Sequence, residues 1–99
     1  MKIIKDYVNK IEDELESAQD YAEQYVYQKA SGNSEYYSRY RLMSEQELDH
    51  AIFIHDIAVR EIEKIRDVYQ PSQEMLDKWN ASHAEYVQKV AMIRLMLEK

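Results

Sequence analysis

Glu47-Leu48-Asp49-His50 places a carboxylate and an imidazole three residues apart. On an α-helix this spacing brings both side chains to one face, a turn apart, where an oxygen and a ring nitrogen can grip the same divalent ion. The row continues through Ile54 and Ile57, so the pair is expected to point inward. Glu14 is the third residue of interest. It sits in the row Tyr7, Ile11, Ala18, Tyr21 and Tyr25, and a carboxylate among core-facing side chains is costly unless it is paired, protonated or bound to a metal. Two acids and an imidazole make a donor set for a transition metal. Two other readings of these residues stand beside that one. Ser44-x-x-Glu47 has the spacing of a helix-starting capping box, and Glu14 with His50 can form a buried hydrogen-bonded pair without any ion.

The elements that must position these residues follow from two breaks. The chain has one Gly and one Pro, and they divide it into thirds. Ser31-Gly32-Asn33-Ser34 is a turn cluster whose Gly can close one helix while Asn33 or Ser34 caps the next. Tyr69-Gln70-Pro71-Ser72 marks a second stop, with Pro71 suited to a first helical turn. Between the breaks the apolar period is helical. The first stripe is Ile4, Val8, Ile11, Leu15, Ala18, Ala22 and Tyr25. The second is Tyr37, Tyr40, Met43, Ala51, Ile54, Ala58, Ile62, Ile65 and Tyr69. The third is Leu76, Trp79, Tyr86, Val90, Ile93 and Leu97, with His83 in the same row.

The expected fold is all-α: one domain over residues 1–99, a bundle of three long antiparallel helices over about 2–31, 34–69 and 71–98. In a hairpin turning at Gly32, residues equally distant from the turn meet. Glu14 lies 18 residues before Gly32, and Glu47 and His50 lie 15 and 18 after it, so all three belong at one level. Three thin rods leave apolar striping uncovered, which points to a homo-oligomer, a dimer or higher.

Composition removes whole classes of chemistry. There is no Cys, hence no disulfide, thiolate metal site or cysteine nucleophile. A net charge of −6 argues against a nucleic-acid partner, which needs a cationic surface. Tyr36-Tyr37-Ser38-Arg39-Tyr40-Arg41 mixes aromatics with cations, yet helical spacing turns Arg39 away from the apolar face. Ala51-Ile52-Phe53-Ile54 is far too short to span a bilayer, so no membrane partner is expected. Met1-Lys2-Ile3-Ile4-Lys5-Asp6 lacks the apolar run of a secretion signal, which makes the cytoplasm the expected location. No serine-hydrolase, glycosidase or phosphoryl-transfer arrangement is present.

Glu14 on one helix and Glu47-x-x-His50-Ala51 on the next resemble the half-site of the ferritin-like di-iron carboxylate superfamily, the ferritins and rubrerythrins. The likeness covers about the first two-thirds of the chain. Asn80-Ala81-Ser82-His83 on the third helix carries Asn where a second half-site would have Glu. The design is therefore similar to that of the encapsulated ferritins, in which each chain gives one hairpin and a dimer completes the site. The resemblance implies a di-iron cofactor, with Glu14 as terminal ligand, Glu47 as bridging ligand and His50 as terminal nitrogen ligand. The implied activity is that of a ferroxidase. The alternative is an acidic helical-bundle interaction protein that carries no metal and does no chemistry.

The remaining polar and aromatic residues have plainer expectations. His83 reads as a satisfied core histidine. His55, beside Asp56, faces away from His50 and reads as solvated. Trp79 reads as a packing anchor, and Tyr21 lies one helical row from Glu14, within reach of a ligand carboxylate.

Overall fold

Gly32 ends the first helix. Its φ of 77° lies in the left-handed region that only glycine adopts at little cost. Around it the Asn33 N–H donates to the Gln28 carbonyl (3.0 Å) and the Gly32 N–H to the Lys29 carbonyl (3.1 Å), the pair of bonds of a Schellman stop. The computed structural model describes residues 2–99, leaving Met1 outside the described residues. It has three helices: α1 (Lys2–Ala30), α2 (Ser34–Tyr69) and α3 (Gln73–Glu98). Asn33 does not cap α2 through its side chain; its amide donates instead to Gln28 Oε1 at 2.8 Å. The second break runs slightly longer than the sequence implies. Pro71 stays in the connection, and α3 starts at Gln73 because the Ser72 hydroxyl accepts the Met75 N–H at 3.3 Å.

The α1–α2 hairpin closes on small side chains. Ala18, Ala22, Ser44, Ala51 and Ala58 are all fully buried, which lets the two backbones approach. The Ser44 hydroxyl donates to the Ala18 carbonyl across that seam at 2.7 Å. Ile4, Val8, Ile11 and Leu15 continue the packing on α1, and Leu48, Ile54 and Ile62 on α2. The third helix lies along one side of the hairpin with Trp79, Val90, Ile93 and Leu97 inward. Lys29, near the end of α1, donates to the backbone carbonyl of Lys99 at the end of the chain. Hence α3 runs parallel to α1 and antiparallel to α2.

The stripe expected on α1 is the buried face of α1. On α2 the packed arc is rotated: Met43 is 38% exposed and Tyr69 69%, while Ser44, Leu48 and His55 are buried. Two neighbours cover α2, and α3 sits on the side carrying Leu48 and His55. Tyr69 is bare because α2 outruns its partner, extending 37 residues past Gly32 when α1 supplies only 30 before it. His55 is only 6% exposed, which overturns the expectation of a solvated side chain. His83 is exposed and is therefore not a core histidine. Trp79 is buried as expected.

Candidate metal centre

Midway along α1, Glu14 occupies a buried position beside the Leu15–Ala18 seam, where the helical period turns it toward α2. Glu47 and His50 stand opposite, one turn apart. Each of the three offers one ligand atom, and these atoms all lie within 4.8 Å of one another. The equal-distance argument from Gly32 holds to the turn. The Glu14 side chain is 11% exposed, whereas that of His50 is 50% exposed. The trio therefore opens to solvent through His50, and the inward expectation applies to Glu14 but not to His50. The capping-box reading of Glu47 fails, since Ser44 lies inside α2 with its hydroxyl committed to Ala18.

Glu14 is the electrostatic centre of the group. His50 Nδ1 approaches its Oε1 at 3.2 Å, and Lys10 Nζ, one turn earlier on α1, approaches the same oxygen at 3.0 Å. A hydrogen bond from Glu47, with smaller help from Lys10 and His50 and against the effect of burial, pulls the Glu14 carboxyl down to about 2. Sharing with Glu14 pushes Glu47 the other way, above the ordinary glutamate range, and burial adds to the push. The two carboxyls are thus driven apart, Glu14 ionising more readily and Glu47 less readily than a free glutamate, as expected for two acids forced together. Two oxygens and a nitrogen so arranged form a mixed O,O,N donor set, suited to iron, manganese or zinc.

The trio lies on a face of the hairpin that α3 does not cover. On one side is a cleft of about 390 Å³ lined by Ile3, Asp6, Tyr7, Lys10 and Ile54. On the other, Tyr21 and Tyr40 stack with ring centroids 6.4 Å apart. Tyr21 makes no hydrogen bond to Glu14 among the described residues. The third helix brings its backbone closest to α1 and meets α2 through side chains on the side away from the trio, where Tyr86 and Val90 line a cleft with Ile52, and Leu97 lines one with Leu48.

A second group of polar side chains lies where sequence reasoning placed only a solvated residue. The His55 ring stacks on Tyr86, centroids 3.8 Å apart and planes 5° apart, with the Trp79 ring 5.8 Å away. Its Nε2 lies 2.9 Å from His83 Nδ1. The available signal was the helical spacing of His55 from Leu48, Ala51, Ala58 and Ile62, the row that proves buried.

The chain matches no protein-family model, and no curated protein and no solved structure matches it significantly. Among the described residues no helix is long and apolar enough to cross a membrane.

Proposed function

We propose that this protein is a ferritin-like metal-binding protein whose Glu14, Glu47 and His50 hold a divalent transition-metal ion. The observation that carries the reading is the convergence of these three ligand atoms within 4.8 Å on an uncovered face of the hairpin. The residues fit such an ion on charge: two carboxylates balance one divalent cation once Glu47 has given up its proton. Glu14, nearly enclosed, is the fixed ligand. Glu47 is the ligand whose carboxyl ionises less readily, and His50 closes the set from the solvent side. Iron bound there would supply redox chemistry toward dioxygen, the ferroxidase-type activity.

Three protein donors leave an iron-sized ion short of the usual coordination number. A second copy of the chain, docking its own open face over Ile3, Tyr7, Met43 and Ile54, would bring a second trio to the first. This is the homodimer that the uncovered striping calls for. The test is metal analysis after aerobic Fe(II) loading, paired with sedimentation. Iron retained in fixed ratio by the wild type and lost in Glu47→Ala supports the reading; no iron, or iron unchanged by the substitution, overturns it.

One observation favours a metal-free alternative. Lys10 and His50 already lie against Glu14, so its charge is balanced without an ion, as in a helical-bundle interaction protein. Melting temperatures separate the two readings. A rise with Fe(II) or Mn(II) but not with Mg(II) decides for the metal site.

A further inference from the structure

The His55–His83 contact is built differently from the Glu14 group and lies on the other side of α2. Their centroids are 5.1 Å apart and their facing nitrogens 2.9 Å apart. The centroid distance is close to the nitrogen separation plus the two ring radii, so the ring axes are nearly collinear. Two imidazoles sharing a metal would direct their lone pairs to cross at the ion. A collinear pair instead holds one N–H between the two nitrogens. His55 Nδ1 lies 3.6 Å from Asp56 Oδ1, beyond hydrogen-bond reach, and has no other partner among the described residues. The Asp56 carboxylate nevertheless favours a proton on that nitrogen, leaving Nε2 to accept from His83.

From this arrangement we propose that His55 and His83 form a proton-operated latch fastening the first half of α3 to the hairpin. The proton count decides its action. With both rings neutral, His83 Nδ1–H donates to His55 Nε2. A proton on His83 alone leaves that bond in place, now assisted by charge. A proton added to His55 must go to its Nε2, which sets N–H against N–H beside Tyr86 and Trp79. The bond becomes a repulsion, and the turns of α3 carrying Trp79, Ser82 and Tyr86 lift away.

The groups acting on His55 are few. Asp56 on α2 favours its charging; burial and His83 on α3 oppose it, and together they hold it below the ordinary imidazole value. The Tyr86 phenol, pushed up chiefly by burial, stays neutral in this range. Among the described residues α1 contributes no ion pair or hydrogen bond to either ring. The sign is therefore fixed. The unfolded chain takes up His55 protons that the docked form refuses, so docking weakens as the pH falls below about 6.5.

Trp79 is the only tryptophan and is 8% exposed, so it reports the latch directly. Acrylamide quenching of its fluorescence, followed from about pH 8 to about pH 5, is expected to rise severalfold as the latch opens, before the far-UV ellipticity collapses. In His83→Gln the amide oxygen accepts from a protonated His55. That variant, altered only at an exposed residue, is expected to keep the high-pH quenching across the range. NMR of the ring protons should show the His55 ring titrating below the ordinary imidazole value. Quenching that stays flat in the wild type, or that follows the same curve in His83→Gln, overturns the proposal.

Discussion

Glu14→Gln removes a charge from the candidate centre while leaving its shape almost intact, which makes it the most informative substitution. In the ion-free protein the amide fills the same space and its oxygen still accepts from His50, while the Glu14 charge that raises Glu47 is gone. Attraction to charged neighbours is lost. Lys10 is 55% exposed and one turn away on the same helix, a pair worth about 0.3–0.5 kcal/mol. The half-exposed His50 adds less than about 1 kcal/mol. The ion-free variant should therefore lie within about 1.5 kcal/mol of the wild type.

With metal present the comparison changes. At a free concentration of about 100 times Kd, binding to the folded state alone adds about 2.7 kcal/mol. For a chain of 99 residues, each kcal/mol moves Tm by about 4–8 °C, so the wild type should gain about 10–20 °C. Glu14→Gln should gain almost nothing, because the enclosed anionic ligand is gone. The assay is thermal melting by far-UV circular dichroism with Mn(II) or anaerobic Fe(II), and Mg(II) as control. Equal gains in the two proteins, or none in the wild type, would refute the reasoning.

Because Glu47 holds a proton above the usual glutamate range, metal binding should release protons and strengthen as the pH rises, seen by calorimetry in buffers of different ionisation heat. In the ion-free protein the same raised value has the opposite sign: stability falls as the pH climbs from the ordinary glutamate value through the raised one, and Glu47→Gln should flatten that slope in denaturant titrations. Ser44→Ala should cost about 1 kcal/mol in urea unfolding, since it deletes the buried bond to the Ala18 carbonyl. Gly32→Ala should cost about 1–2 kcal/mol from backbone strain alone, as nothing lies within 4 Å of the added methyl. Gln70→Gly should act in reverse and stabilise by about 0.5 kcal/mol, relieving the positive φ of 29°, provided denaturant midpoints are compared at one pH.

Three helices, their breaks at Gly32 and Pro71, and the buried stripe of α1 are legible in the amino-acid order because local rules set them. Helical period, turn chemistry and proline act over a few residues. The meeting of Glu14 with Glu47 and His50 is also legible, since a two-rod hairpin with a known turn has one register. The packed face of α2 is not. Its apolar period runs through Met43 and Tyr69, whereas Ser44 and His55 are in the core. A helix with two neighbours buries an arc set by where the second neighbour lies, and no local period encodes that.

The sequence alone determined the all-helical class, the hairpin register and the trio of possible ligands, all consequences of spacing along one chain. Only the tertiary structure decided that α3 lies against the His55 side of α2. That placement buries His55, leaves His83 exposed, and leaves His50 facing solvent beside the buried Glu14. The physical reason is that short-range geometry fixes which residues share a face, while the choice of face that a third helix covers depends on packing between residues distant in sequence.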